Sequence, residues 1–115
     1  MVYFIRAKTH YQYALSLWRD LHLEKKKVDP SLYLDIFSHG LKALYNLLDV
    51  SPQEKSLSLE EIILRILPTL SEEEKRVILS LKDLLLGKES SSLEKIREEM
   101  SVFMEILKES LRPIL

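Results

Sequence analysis

Apolar residues recur at steps of three and four along most of the chain, and short polar stretches separate the segments in which they do so. This spacing is typical of amphipathic α-helices. No segment alternates apolar and polar residues between turn signals, so no strand is predicted. The pattern predicts helices over residues 3–25, 30–49, 58–68, 72–86 and 91–112. We therefore expect an all-α fold, an antiparallel bundle of four to five helices, with residues 1–115 forming a single domain.

Capping signals mark most of the predicted helix starts. In a capping box a serine side chain accepts a hydrogen bond from the backbone N–H three residues later, and the glutamate there accepts one from the serine N–H. The spacing occurs at Ser51/Glu54, Ser58/Glu61, Ser71/Glu74 and Ser91/Glu94. Asp29-Pro30 predicts a further start, and Ser51-Pro52 predicts one extra helical turn. Gly87 is predicted to end the fourth helix in the left-handed conformation.

The first and last predicted helices each carry one apolar stripe. In the first helix the stripe consists of Phe4, Ala7, Tyr11, Ala14, Trp18 and Leu21, and in the last of Leu93, Ile96, Met100, Phe103, Leu107 and Leu111. The second helix differs, because its polar residues occupy only a narrow seam that includes Asp35, His39 and Asn46. A helix that is apolar around most of its circumference is enclosed by others, so the second helix is expected to be central.

Gly40 lies on the apolar side of the second helix, three residues before Ala43. Glycine inside a helix costs about 0.5–1 kcal/mol relative to alanine, so it usually persists for a packing or backbone reason. We predict that Gly40 and Ala43 form a packing notch, a small-residue position against which another helix presses. A break in the helix and the close approach of a ligand are the alternatives. Helix propensity alone predicts that Gly40→Ala is stabilising, whereas a notch predicts that Gly40→Leu is destabilising by about 1–3 kcal/mol.

Composition and charge exclude several classes of function. The 115 residues include 17 Lys+Arg and 18 Asp+Glu, and the formal net charge of −1 provides no bulk attraction to nucleic acid or anionic lipid. The chain has no cysteine, which excludes a disulfide framework, a thiolate zinc site and a cysteine nucleophile. The N-terminal stretch is too polar for a signal peptide, and no apolar run reaches the roughly 20 residues of a membrane span. We expect a cytoplasmic protein that does not bind membranes.

Aromatic and basic residues are concentrated on the first helix and just after it. The candidate binding residues are Tyr3, Arg6, His10, Tyr13, Lys25, Lys26 and Lys27. Rings and cationic side chains of this kind can stack on bases and neutralise phosphates, which gives nucleotide or RNA binding as an alternative function. Core packing and a contact between subunits are the other interpretations of the aromatic residues. An RNase with an unrecognised site is a third hypothesis.

His39 lies one turn after Asp35, a spacing at which a carboxylate can orient an imidazole or join it as a metal ligand. A surface hydrogen bond is the favoured interpretation, because the Glu-x-x-His motifs of di-iron bundles are absent from the sequence. The chain also has no phosphate-binding glycine loop, no His-Glu-x-x-His and no nucleophile elbow. We therefore expect no metal site, no cofactor and no catalytic residue.

Four segments carry a resemblance to a known family. "YQYALSLWRDL" resembles the first helix of the HEPN family of small helical bundles, and "PSLYLDIFSHGLKALYNLLDV" resembles its second. "SLEEIILRIL" and "LEKIREEMSVFMEILKESL" are similar to later helices of that family. The resemblance implies roles in toxin–antitoxin pairs, RNA cleavage, nucleotide binding or scaffolding, often as dimers.

Catalytic HEPN proteins carry Arg-x4–6-His near the start of a late helix, and this chain departs from that pattern. Neither Arg65 nor Arg76 is followed by a histidine, and no histidine occurs after His39. The resemblance therefore implies a non-catalytic member: a binding or interaction module that forms a homodimer and engages a protein partner. Such a module would be an accessory subunit of a nucleotidyltransferase or of a toxin–antitoxin-type system.

Overall fold

The computed structural model describes residues 2–23, 30–48, 57–87 and 93–115. In chain order, the helices are α1 (Val2–Leu23), α2 (Pro30–Leu48), α3 (Leu59–Ile66), α4 (Glu72–Leu86) and α5 (Leu93–Leu111). Short 3₁₀ turns at Leu67–Thr69 and Arg112–Ile114 follow α3 and α5. These ranges contain no strand, and the helices pack into one bundle of 39 × 28 × 26 Å. The prediction of an all-α bundle is confirmed.

The helix bounds agree with the predicted ones to within about two residues, the usual uncertainty of a helix end. The predicted extra turn at residues 51–52 and the caps at Asp29, Ser51 and Ser91 lie outside the described residues. None of the helices in the described ranges is long and apolar enough to cross a membrane.

Two of the predicted serine caps are present. The Ser71 side chain accepts from the Glu74 N–H at 3.3 Å, and the Ser71 N–H donates to Glu74 Oε1 at 2.7 Å, which completes a capping box at the start of α4. At the start of α3, the Ser58 hydroxyl accepts from the Glu61 N–H at 3.2 Å. These bonds satisfy N–H groups that have no partner inside the helix.

Gly87 ends α4 as predicted, but in a different conformation. Its φ of −72° and ψ of 161° are extended rather than left-handed, so the prediction of a left-handed cap is wrong. The Gly87 N–H donates to the Asp83 carbonyl oxygen at 3.0 Å, and a Cβ at Gly87 would collide with that same oxygen. Glycine is therefore required here by a steric contact and not by the sign of φ.

The second helix is the central element of the bundle. α2 packs against each of the other four helices. Its fully buried side chains cover more than half of the helix circumference and include Ile36, Phe37, Leu41, Ala43, Leu44 and Tyr45. The opposing core is formed by Ile62, Ile63 and Ile66 of α3, Val77, Ile78 and Leu81 of α4, and Ile96, Met100, Phe103, Leu107 and Leu111 of α5. The enclosure of α2 is as the sequence predicts.

Side chains of α5 approach the backbone of α2 closely at Gly40. A Cβ added to Gly40 would lie 2.7 Å from Cζ of Phe103 and 2.9 Å from Cδ1 of Leu107, and closer still to Cε2 of Phe103. Phe103 also packs edge-to-face on Phe37, with ring centroids 5.2 Å apart. Because Phe103 and Leu107 are both fully buried, a movement of either side chain away from Gly40 would press on other core residues.

The exposure of three residues differs from what the sequence pattern predicts. Phe4 and Leu93, at the outer ends of the apolar stripes, are 37% and 39% exposed, because each lies in the first turn of a terminal helix where fewer neighbours cover it. Asn46, which the sequence places in the polar seam of α2, is only 1% exposed. Its Nδ2 donates to the Lys42 carbonyl oxygen at 2.8 Å, one turn back on the same helix. A local bond to the backbone is how a buried amide satisfies a donor.

The contact at Gly40 changes the expectation from helix propensity alone. We expect Gly40→Ala to lower the free energy of unfolding by about 1–3 kcal/mol, because the added methyl group overpacks the contact with Phe103 and Leu107. Urea unfolding followed by circular dichroism measures it. Phe103→Leu makes room for the added methyl group. The double variant Gly40→Ala/Phe103→Leu should therefore lose less unfolding free energy than the two single variants lose together. Stabilisation of about 0.5–1 kcal/mol by Gly40→Ala would contradict the steric account.

Candidate functional site

Side chains from α1 and α2 meet in what we call the histidine cluster, formed by His10, Tyr13 and His39. Nδ1 of His10 lies 3.2 Å from Nδ1 of His39, although the two residues are 29 positions apart in the sequence. The Tyr13 ring lies against His39, with ring centroids 4.5 Å apart. The sequence alone places His10 and His39 in separate groups, and the structure brings them together.

The connection between α1 and α2 explains why these residues meet. Six residues join the two helices and can span about 25 Å at most, less than the roughly 33 Å length of a 22-residue helix. The helices must therefore run antiparallel where they pack. His10 and Tyr13, three residues apart, share one flank of α1, and the antiparallel register places His39 of α2 beside that flank.

The two imidazoles face each other with their Nδ1 edges. Their ring centroids are 5.5 Å apart, farther than the nitrogens, so the rings point their nitrogens into the space between them. A hydrogen bond at this 3.2 Å distance requires one ring to donate Nδ1–H and the other to accept. Both side chains are half-buried, so one side of the pair remains open to solvent.

The other predicted site residues are distributed differently. Arg6 is exposed on the same flank of α1 as the histidine cluster, while Tyr3 lies in the first turns of α1. Lys25, Lys26 and Lys27 lie outside the described residues. In the predicted polar seam, Asp35 is exposed and His39 lies against α1. Since Asn46 is buried, only part of the seam lies at the surface.

Gly40 and Ala43, the predicted packing notch, are both buried. A Cβ at Gly40 would meet α5 side chains, so the space beside Gly40 is filled by the core and not open to a ligand. α2 is continuous through Gly40, so this glycine does not break the helix. These two residues therefore belong to the core.

The outer side of α1 has a second distinctive surface, which we call the α1 face. It consists of five exposed, uncharged residues at helical spacing: Ile5, Thr9, Gln12, Tyr13 and Ser16. Ile5 is 65% exposed and Tyr13 is 57% exposed, which is high for large apolar side chains. The Thr9 hydroxyl donates to the Ile5 carbonyl oxygen at 2.8 Å, so it is directed along the helix.

The α1 face contrasts with the outer sides of α4 and α5. There the exposed residues are mainly charged and include Glu72, Glu73, Arg76 and Asp83 on α4 and Glu94, Lys95, Arg97, Glu98, Glu105, Lys108 and Glu109 on α5. On α1, Arg6, Lys8, Arg19 and Asp20 lie at the margins of the uncharged face. Depletion of charge together with an exposed tyrosine distinguishes the centres of protein interfaces from ordinary surface.

The aromatic residues of α1 divide between surface and core. Tyr11 is buried between α1 and its neighbours, whereas Tyr13 is mostly exposed. Burial raises the pKa of the Tyr11 hydroxyl above its ordinary value, Arg19 opposes this shift, and Glu105 of α5 adds to it. Tyr11 therefore has a packing role, as the sequence indicates, and is not part of a binding surface.

No protein-family model, curated protein or solved structure matches this chain. The geometry of the site itself therefore indicates its chemistry. The described ranges contain no group of three or more His, Cys, Asp or Glu side chains arranged to hold a metal ion. What they do provide is one pair of converging imidazole nitrogens and one uncharged helix face beside it.

Tyr11 makes the stability of the fold depend on pH in alkaline solution. Because the folded protein holds the Tyr11 proton more tightly than the unfolded chain, this stabilisation is fully present below the ordinary tyrosine pKa of 10.0 and is lost as the pH rises above it. We expect Tyr11→Phe to make the decline in unfolding free energy less steep between about pH 9 and pH 11. Urea unfolding at a series of pH values measures it.

The matched control for this experiment is Tyr13→Phe, which removes the same hydroxyl from an exposed ring. Parallel pH profiles for the parent and Tyr11→Phe would show that burial of Tyr11 has no part in the alkaline decline.

Proposed function

We propose that this chain is a cytoplasmic, non-catalytic interaction module that forms a homodimer through the α1 face and then engages a second protein. The supporting observation is the α1 face itself, an exposed and uncharged surface on a bundle whose other outer helices are mainly charged. Burying Ile5 and Tyr13 against a partner would remove apolar area from water, the main favourable term in protein association.

The charges at the margin of this face favour a second copy of the chain as the partner. Arg6 and Asp20 lie seven residues before and seven residues after Tyr13, and all three are exposed. Residues seven apart lie on nearly the same line along a helix. If two α1 helices pair antiparallel about a two-fold axis at Tyr13, Arg6 of each copy faces Asp20 of the other. Such self-complementarity is what a two-fold symmetric interface requires.

Surface ion pairs of this kind contribute little affinity but fix the register of the two helices. The affinity would come from the uncharged centre, where Tyr13 of each copy could stack on the other. Gln12 and Ser16 carry no charge, so a partner can cover them without burying an unpaired charge.

The nature of the second partner rests on the family resemblance. A non-catalytic HEPN-like module would serve as the accessory subunit of a nucleotidyltransferase or of a toxin–antitoxin-type pair. The lack of an Arg-x4–6-His motif is the reason for proposing a binding role instead of RNA cleavage. With a net charge of −1, the chain has no bulk attraction for RNA, so direct RNA binding is the less favoured function.

A charge exchange tests the proposed homodimer. Analytical ultracentrifugation over a concentration series should show a monomer–dimer equilibrium for the parent. Arg6→Asp alone, or Asp20→Arg alone, should weaken the dimer by about tenfold or more, because each places like charges opposite one another. The double variant Arg6→Asp/Asp20→Arg should restore most of the affinity, since the pairs re-form with opposite polarity.

Lys95→Glu is the matched control, since it reverses an exposed charge on α5, away from the α1 face. It should leave the equilibrium unchanged. A parent that stays monomeric at all concentrations, or a double variant that dimerises no better than the single ones, would refute dimerisation through α1.

A further inference from the structure

The histidine cluster has a geometry that suits a metal ion. A metal bound by imidazole nitrogens at about 2.0–2.1 Å with tetrahedral angles holds two of those nitrogens about 3.3–3.4 Å apart. The Nδ1 atoms of His10 and His39 are 3.2 Å apart, between this tetrahedral distance and the roughly 2.8–3.0 Å that separates neighbouring ligands at the right angles of a tetragonal ion such as Cu²⁺. Because the ring centroids are 5.5 Å apart, the two Nδ1 edges point almost directly at each other, and each ring would turn by about 35–45° to direct its lone pair at a shared ion.

The helices that carry the two rings keep them close together. Each histidine is carried by a long helix, and the Tyr13 ring packs on His39 with ring centroids 4.5 Å apart. Ligands on rigid elements lose little conformational freedom when a metal binds. Both imidazoles are only half-buried, which leaves solvent access for the ion and for the water molecules that would complete its coordination.

We propose that His10 and His39 together bind one divalent transition-metal ion through their Nδ1 atoms, so that the ion links α1 to α2. Imidazole ligands favour Cu²⁺, Ni²⁺ and Zn²⁺ over Mg²⁺ and Ca²⁺, which prefer oxygen. The site therefore selects this class of ion, with Cu²⁺ bound most tightly. The proposal is independent of the homodimer, because both ligands belong to the same chain.

Metal binding at this pair replaces the hydrogen bond between the rings. The ring that donates Nδ1–H must carry its proton on Nε2 instead, so that both Nδ1 lone pairs point to the metal. The neutral pair loses no net proton in this change of tautomer. The bound ion then favours the folded chain over the unfolded one, since the two ligands are adjacent only when α1 and α2 are packed.

The direct test uses the tag-free full-length chain and Cu²⁺ as the probe. Electron paramagnetic resonance should show one Cu²⁺ per chain with hyperfine structure from two equivalent imidazole nitrogens, and titration calorimetry should give the same stoichiometry. His10→Gln and His39→Gln should each weaken binding by about tenfold or more. His22→Gln, which changes the third histidine in the chain, is the matched control and should leave binding unchanged.

A second measurement keeps the test valid if either variant folds poorly. Addition of Zn²⁺ to the parent should raise its thermal unfolding midpoint, and addition of EDTA should reverse the rise. In ¹⁵N spectra of the histidine side chains, the Nδ1 signals of His10 and His39 should shift while those of His22 do not. Unchanged signals for His10 and His39, or Cu²⁺ binding that depends on His22 instead, would overturn the proposal.

Discussion

The close approach of α5 to α2 at Gly40 is the contact on which the rest of the bundle depends. Phe103 and Leu107 occupy the space that any larger residue at this position would fill. Phe103 also contacts Phe37, so the same ring packs against the backbone of α2 at Gly40 and against the Phe37 side chain. Since α2 packs against every other helix, its distance from α5 also affects how the remaining helices close around it. In a densely packed interior a change at one such contact is transmitted to its neighbours.

Much of the fold follows from local features of the sequence. The 3.6-residue periodicity locates the helices, and the Ser-x-x-Glu spacing at Ser58 and Ser71 marks two of their starts, because both depend on residues close together in the chain. The central position of α2 follows from the near absence of a polar side. Conformations that depend on packing are harder to predict from the sequence. Gly87 ends a helix without the left-handed geometry, and Asn46 is buried on the side of α2 that its polarity assigned to solvent.

The candidate site could be predicted only in part, for a related reason. Helical spacing groups Arg6, His10 and Tyr13 on one flank of α1, and the structure keeps them there. What spacing could not supply is the register of α1 against α2, which brings His39 to that flank. A shift of α2 by one turn would move His39 about 5 Å along α1 and break the contact between the two imidazoles. The pair is therefore a property of the tertiary structure.

The histidine cluster and the α1 face lie side by side and share Tyr13, whose ring contacts His39 while most of its surface faces solvent. A partner that covers Tyr13 would therefore also lie close to the two imidazoles. Both features require that α1 is held firmly on α2, and α2 in turn is held by the core that closes at Gly40. The proposed binding chemistry of the surface thus depends on a packing contact in the interior.

The most direct test of this account is a nuclear Overhauser measurement on the Gly40 α-protons in the folded protein. If α5 packs on α2 at Gly40, these protons show strong cross-peaks to the ring protons of Phe103 and to a methyl group of Leu107. If those cross-peaks are absent while the helices themselves are formed, α5 does not close on α2 at Gly40, and the packing on which the rest of the account depends is wrong.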